Sequence, residues 1–135
     1  MTPFRDRNLT LAERSRSLNY HISSKDYDLY ALQGEIETFC EKHILSKKVS
    51  DYLVLISEEV LCLLTDFSDI NLSLSYSEKD GSLEFVCDSG GDKRNPLEEG
   101  VVDDDIGLLL IRSRCKSIEY TNVGGRNILT LIVKN

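Results

Sequence analysis

Two stretches of the chain place chemistry-bearing residue types at a usable spacing. The first is Ser57-Glu58-Glu59-Val60-Leu61-Cys62-Leu63-Leu64-Thr65-Asp66. Glu58, Cys62 and Asp66 recur every four residues, so on a helix they share one face. A carboxylate on a largely apolar helix needs a partner, a water or a ligand, because buried charge is costly. Glu58 is therefore a candidate to face a ligand. The second stretch is Asp88-Ser89-Gly90-Gly91, after an apolar run. An Asp at a strand end can accept a hydrogen bond from a ligand amine, and glycine lets backbone approach a ligand closely. Further on, Asp105-Ile106-Gly107-Leu108 opens a helical pattern, and helix N-termini receive anions. Plain structural readings stand beside each. Glu58 can be a salt-bridged helix carboxylate, Asp88 a strand-end turn residue and Gly107 a packing glycine. The Asp103–Asp105 run can be a solvated loop that caps the next helix.

The elements that must carry these residues follow from hydrophobic periodicity. Residues 1–16 are charged and weakly patterned. Leu18, Tyr20 and Ile22 alternate with Asn19, His21 and Ser23, a half-buried strand. After Ser24, Leu29, Leu32, Ile36, Phe39 and Cys40 form one stripe of a helix ending near His43. A break at Ser46 or Lys47 precedes an apolar-rich helix over Val49 to Phe67, greasy on nearly all sides, with Ser50 as its N-cap. Ile70 to Ser77 and Leu83 to Cys87 read as a hairpin around Glu78-Lys79-Asp80-Gly81. Asp88 to Asp105 reads as one long loop, and loops of that length often serve function. Ile106 to Cys115 is helical, Ser117 to Asn122 a strand, Gly124-Gly125 a turn and Asn127 to Val133 the last strand. Hairpins with grouped helices indicate an α+β domain, a mixed sheet with helices on one face.

Composition narrows the functional classes. The chain has 135 residues, a formal net charge of -7 and 29% charged residues, which fits one domain. An acidic balance argues against a nucleic-acid partner held through phosphates and against a polybasic membrane patch. The N-terminus lacks an apolar h-region, and no apolar stretch approaches a membrane span of about 18 residues. Cys40, Cys62, Cys87 and Cys115 form no C-x-x-C pair. No metal site is expected from them. All four lie in apolar patterns and read as buried hydrophobes of a cytoplasmic, bacterial-type domain.

In order and spacing these motifs resemble the GHKL, or Bergerat-fold, ATP-binding domain. The resemblance is greatest to its stand-alone branch, the anti-sigma-factor serine kinases, and spans about residues 17 to 134. Ser57-Glu58-Glu59-Val60 resembles that family's N box, Asp88-x-Gly90 its G1 box, and Ile106 to Ile111 its G2 box. The tail, with Ile118-Glu119-Tyr120 and Gly124-Gly125, resembles the family's ending. The resemblance implies a Bergerat-type two-layer sandwich of one mixed sheet and about three helices, preceded by residues 1–16. It implies Glu58 as general base toward a partner serine. Asp88 and Gly90 would meet adenine, and Gly107 and Leu108 would lie under the phosphates of Mg-ATP. The implied partners are a STAS-type anti-sigma antagonist and a sigma factor. Four positions depart from the pattern, one of them Ile128, where a Thr is common beside the adenine. Cys62 replaces the magnesium-binding Asn, a soft ligand for a hard ion. Asp66 stands where a His is frequent, and Asp105 replaces a glycine, adding charge that opposes an anion. The expectation is a weak or lost Mg-ATP site. The alternative is a non-catalytic protein-binding domain of the same fold, with a homodimer as one form.

Overall fold

The protein is described from a computed structural model, for residues 17–22, 28–64, 67–97 and 106–135. The elements run β1 (Ser17–Ile22), α1 (Leu29–Lys42), α2 (Lys47–Leu63), β2 (Ser68–Tyr76), β3 (Leu83–Gly90), α3 (Ile106–Arg114), β4 (Cys115–Val123) and β5 (Arg126–Val133). The expected α+β sandwich is present: a five-stranded sheet in the order β1-β2-β3-β5-β4, with the helices forming one core with it. Residues 1–16, Asp66 and Asp103–Asp105 lie outside the described residues.

One part of the sheet reading needs correction. A mixed sheet was the expectation, but every neighbouring pair is antiparallel. The reason is where β5 goes. β3 and β4 both run antiparallel to β5, so they are parallel to each other, as a crossover through α3 requires. The tight turn at Gly124-Gly125 then folds β5 back into the space between them; the two glycines take φ of 58° and 78°, which L side chains rarely adopt.

Strand alternation sorts the side chains onto two faces. Leu72 and Leu74 of β2, Phe85 and Cys87 of β3, and Leu129 and Leu131 of β5 are buried with Leu32, Ile36, Leu53, Ile56 and Val60 of the helices. The intervening residues form an open face. There His21, Asn71, Asp88 and Ile128 lie side by side in register, next to the row of Asn19, Ser73, Val86 and Thr130. No helix among the described residues is long and apolar enough to cross a membrane.

The helix ends obey local chemistry. Asp28 caps α1, its Oδ1 accepting from the Ala31 N–H at 3.1 Å. Ser46, not Ser50, caps α2, its Oγ accepting from the Val49 N–H at 3.2 Å. Ser50 is instead buried inside the helix. The end of α1 is a Schellman turn: the Leu45 N–H donates to the Cys40 carbonyl at 2.9 Å and the Ile44 N–H to that of Glu41 at 3.2 Å. Ile44 occupies the left-handed position, φ 55°, 92% exposed. A β-branched residue is strained there and gains nothing by packing. Replacing Ile44 with Gly is expected to stabilise the fold by about 1 kcal/mol. Urea unfolding tests this through a higher midpoint at unchanged slope.

Candidate functional site

Asp88 belongs to β3 rather than to a loop. The strand continues through Ser89, paired with Asn127, to Gly90, paired with Ser68. Residues at odd positions of β3 face the helices: Phe85, Cys87 and Ser89 are all buried. Asp88 therefore points to the open face. There its Oδ1 accepts from Arg126 Nε at 2.7 Å. The same guanidinium donates to Asp69 Oδ2 at 3.1 Å and to the Asp69 carbonyl at 2.6 Å. Asp69 Oδ1 in turn lies 2.6 Å from His21 Nε2. The four side chains thus tie β1, β2, β3 and β5 together at one end of the sheet. Asp69 adopts φ 48° at a register shift in β2, a conformation Asp tolerates better than most residues. Its carboxyl is held below the ordinary carboxylate range, chiefly by the His21 bond and secondarily by Arg126.

Gly90 is explained by this cluster. A Cβ there would stand 3.0 Å from Ser68 Oγ and 3.2 Å from Arg126 Nη1. The glycine makes room for the strand bulge and for the guanidinium, a reason the sequence motif did not announce.

Glu58 lies half-buried on α2, and Cys62, one turn on, is exposed. Both sit away from the stripe of Leu53, Ile56 and Val60 that faces the sheet. The reading of Cys62 as a buried hydrophobe is corrected: an apolar run masks the one position that a four-residue step from Glu58 carries outward. The other three thiols are buried, and burial raises their pKa, to about 12 for Cys87 and about 11 for Cys115. Gly107 is half-buried in the first turn of α3, and Leu108 is a core residue at 6% exposure. The structure places Glu58, Gly107 and Leu108 in the helix layer, and Asp88 on the opposite face of the sheet. Two side chains differ from what the motif would arrange for Mg-ATP: one oxygen of the Asp88 carboxylate accepts from Arg126, and Cys62 offers a thiol where the motif has its magnesium-binding Asn. Among the described residues no three His, Cys, Asp or Glu side chains gather as a metal site requires.

The helix-side neighbour of Asp88 marks a residue that sequence reasoning missed. Asn127 is 2% exposed and accepts at Oδ1 from Tyr120 Oη, at 2.5 Å, and Asn122 Nδ2, at 3.1 Å. The Arg94 backbone N–H also donates to that oxygen, at 3.2 Å, and Asn127 Nδ2 donates to the Asp92 carbonyl at 2.9 Å. It anchors the chain leaving β3 against the end of the β4–β5 hairpin. Leu97, a few residues on, is buried, and its carbonyl accepts from Arg112 Nη2 at 3.0 Å. The only prior signal was an Asn where alternation demands an apolar residue.

No family model and no curated protein matches the chain. A solved structure does: a chain in the crystal structure of the SiaB-SiaC complex from Pseudomonas aeruginosa. It superposes with a TM-score of 0.67 over 98% of this chain and 96% of that one, at 9% identity. The likeness is one of fold.

Two measurements check this geometry. Since the folded Asp69 pKa is depressed, its contribution to stability is present above the unfolded value of about 3.9 and disappears as pH falls below it. Asp69→Asn is expected to unfold at lower urea than the parent at pH about 6, with the gap closing below pH about 4. Maleimide labelling of the native protein at neutral pH should modify Cys62 and spare Cys40, Cys87 and Cys115, as peptide mass spectrometry would read directly.

Proposed function

We propose that the chain is a regulatory domain that acts by binding another protein and does not transfer phosphate. The observation that carries this reading is the 2.7 Å bond between Arg126 and Asp88 on the open face of the sheet. It engages the carboxylate that an adenine-binding role would need, and strand alternation sets that carboxylate on the far side of the sheet from Glu58. The thiol of Cys62 supports the same reading, because magnesium prefers oxygen ligands. The fold likeness supports a protein partner, since that solved structure is a complex of two proteins. With a formal net charge of -7, the domain favours a partner with a basic surface, which long-range attraction would steer onto it. A STAS-type antagonist or a sigma factor is the partner class that the family resemblance implies.

Nucleotide titration tests the proposal. A ligand present at about 100 times its Kd raises stability by about 2.7 kcal/mol. Millimolar ATP or ADP, with or without Mg²⁺, is expected to leave the melting temperature unchanged. An upward shift with Mg-ATP, together with label transfer from ATP to a partner serine, would contradict the proposal and restore the kinase reading.

A further inference from the structure

Two arginines of this fold are held in opposite ways. Arg126 is held by anions: Asp69 and Asp88 accept from all three of its nitrogens. Arg114, the last residue of α3, is held by an aromatic ring. Its guanidinium carbon lies 4.5 Å from the centre of the Tyr52 ring. Lys48, one turn before Tyr52 on α2, places Nζ 5.7 Å from the same centre. Such contacts fix a cation without neutralising it. Among the described residues neither Lys48 nor Arg114 is paired with a carboxylate. Arg114 Nη1 donates to the neighbouring Ser113 Oγ at 3.2 Å, and its buried Nε has no hydrogen-bond partner. Buried donors usually have an acceptor.

More positive charge collects around this pair. The Lys134 N–H donates to the Arg114 carbonyl at 2.9 Å, which joins the end of β5 to the end of α3, and Lys116 stands two residues past Arg114. Both lysines are exposed. Lys47 and Lys48 occupy the first turn of α2, which holds no acid. The helix dipole disfavours cations there. Lys47 offsets this through Asp51, 3.1 Å away. The ring contact is all that Lys48 gains from the described residues, whereas an anion at this spot would use both its charge and the dipole. The chain is described throughout this end of the domain: the α1–α2 turn, the β2–β3 hairpin, the α3–β4 junction and the residues after β5. β1, where residues 1–16 join, lies four strands from β4, about 19 Å away.

We propose that Lys48, Arg114 and the lysines beside them receive a short acidic segment of a partner protein. One carboxylate would bind between the guanidinium and the ammonium, with Tyr52 holding the guanidinium in place. Its neighbours in the segment would meet Lys116 and Lys134. The rest of the surface requires the segment to be short. The chain carries 23 acids against 16 lysines and arginines, so a long polyanion such as nucleic acid would run onto like charge. This assignment rests on the protein-binding reading above and adds a local contact to its long-range preference. Net charge steers a partner from afar, whereas docking reads charge within a Debye length of about 8 Å. The partner is thus basic overall and carries one acidic segment.

The test is an NMR titration of the full 135-residue chain at about 20 mM salt. The probe is a synthetic peptide of alternating glutamate and alanine, about ten residues long and able to span about 30 Å. A chain of net charge -7 repels this peptide unless it offers a locally basic site. Saturable shifts are expected at Lys48, Tyr52 and Arg114, and glutamine in place of each glutamate should abolish them. Lys48→Gln should weaken binding about threefold. Arg114→Lys, which keeps the charge and loses the planar fork, should do the same. Lys93→Gln, at an exposed lysine beyond β3, should change nothing. The proposal is overturned if no saturable shift appears, if the shifts fall elsewhere, or if the glutamine peptide binds equally well. It is also overturned if Lys93→Gln weakens binding as much as Lys48→Gln. Inorganic phosphate binding as tightly as the peptide would overturn it too, by giving the site to a small ion. The nucleotide titration reads stability with ATP rather than peptide binding, so the surface and the wider functional reading can fail separately.

Discussion

The hydrogen bond from Arg126 to Asp88 is the interaction on which the rest of the account depends. It spans two neighbouring strands on the face that the helices leave open, and it draws Asp69 and His21 in behind it. A guanidinium presents its donors in a fixed planar fork. Here that fork meets one carboxylate through Nε and another carboxylate and its carbonyl through the two terminal nitrogens. The left-handed backbone at Asp69 and the missing side chain at Gly90 are both accommodations to it. An Asp in this setting ties strands together.

The opposite side of the same strand end is organised by Asn127. A buried amide whose oxygen accepts three hydrogen bonds and whose nitrogen donates one is expensive to disturb. Its partners come from β4 and from the chain between β3 and Leu97. The region that a nucleotide-binding reading would treat as a mobile loop is therefore anchored at its start by a buried polar hub. The sheet end is stiffened on both faces, by charge on one and by a neutral amide on the other.

Much of the fold was legible because period-two alternation and the three-and-four stripe are strong signals. Leu18, Tyr20 and Ile22, the Asp80-Gly81 hairpin and the stripe of α1 all stand where the pattern set them. The antiparallel sheet was not legible, since the position of β5 between β3 and β4 depends on packing at long range. The candidate site was legible only as residue types. Whether Asp88 ended a strand or continued it reverses nothing in its composition, yet that continuation decides which face it serves. Cys62 was misread for a related reason: a long apolar run conceals the narrow outward side of α2. Arg126 carried no motif at all, and its significance appears only once four strands bring it to Asp69 and Asp88.

A double-mutant cycle on Asp88→Asn and Arg126→Gln, followed by urea unfolding at neutral pH, tests this account most directly. The predicted result is a favourable coupling energy of about 1 kcal/mol, modest because both side chains are partly exposed. Effects that add to within about 0.3 kcal/mol would show that the two groups do not meet, and would return Asp88 to the role of a free acceptor.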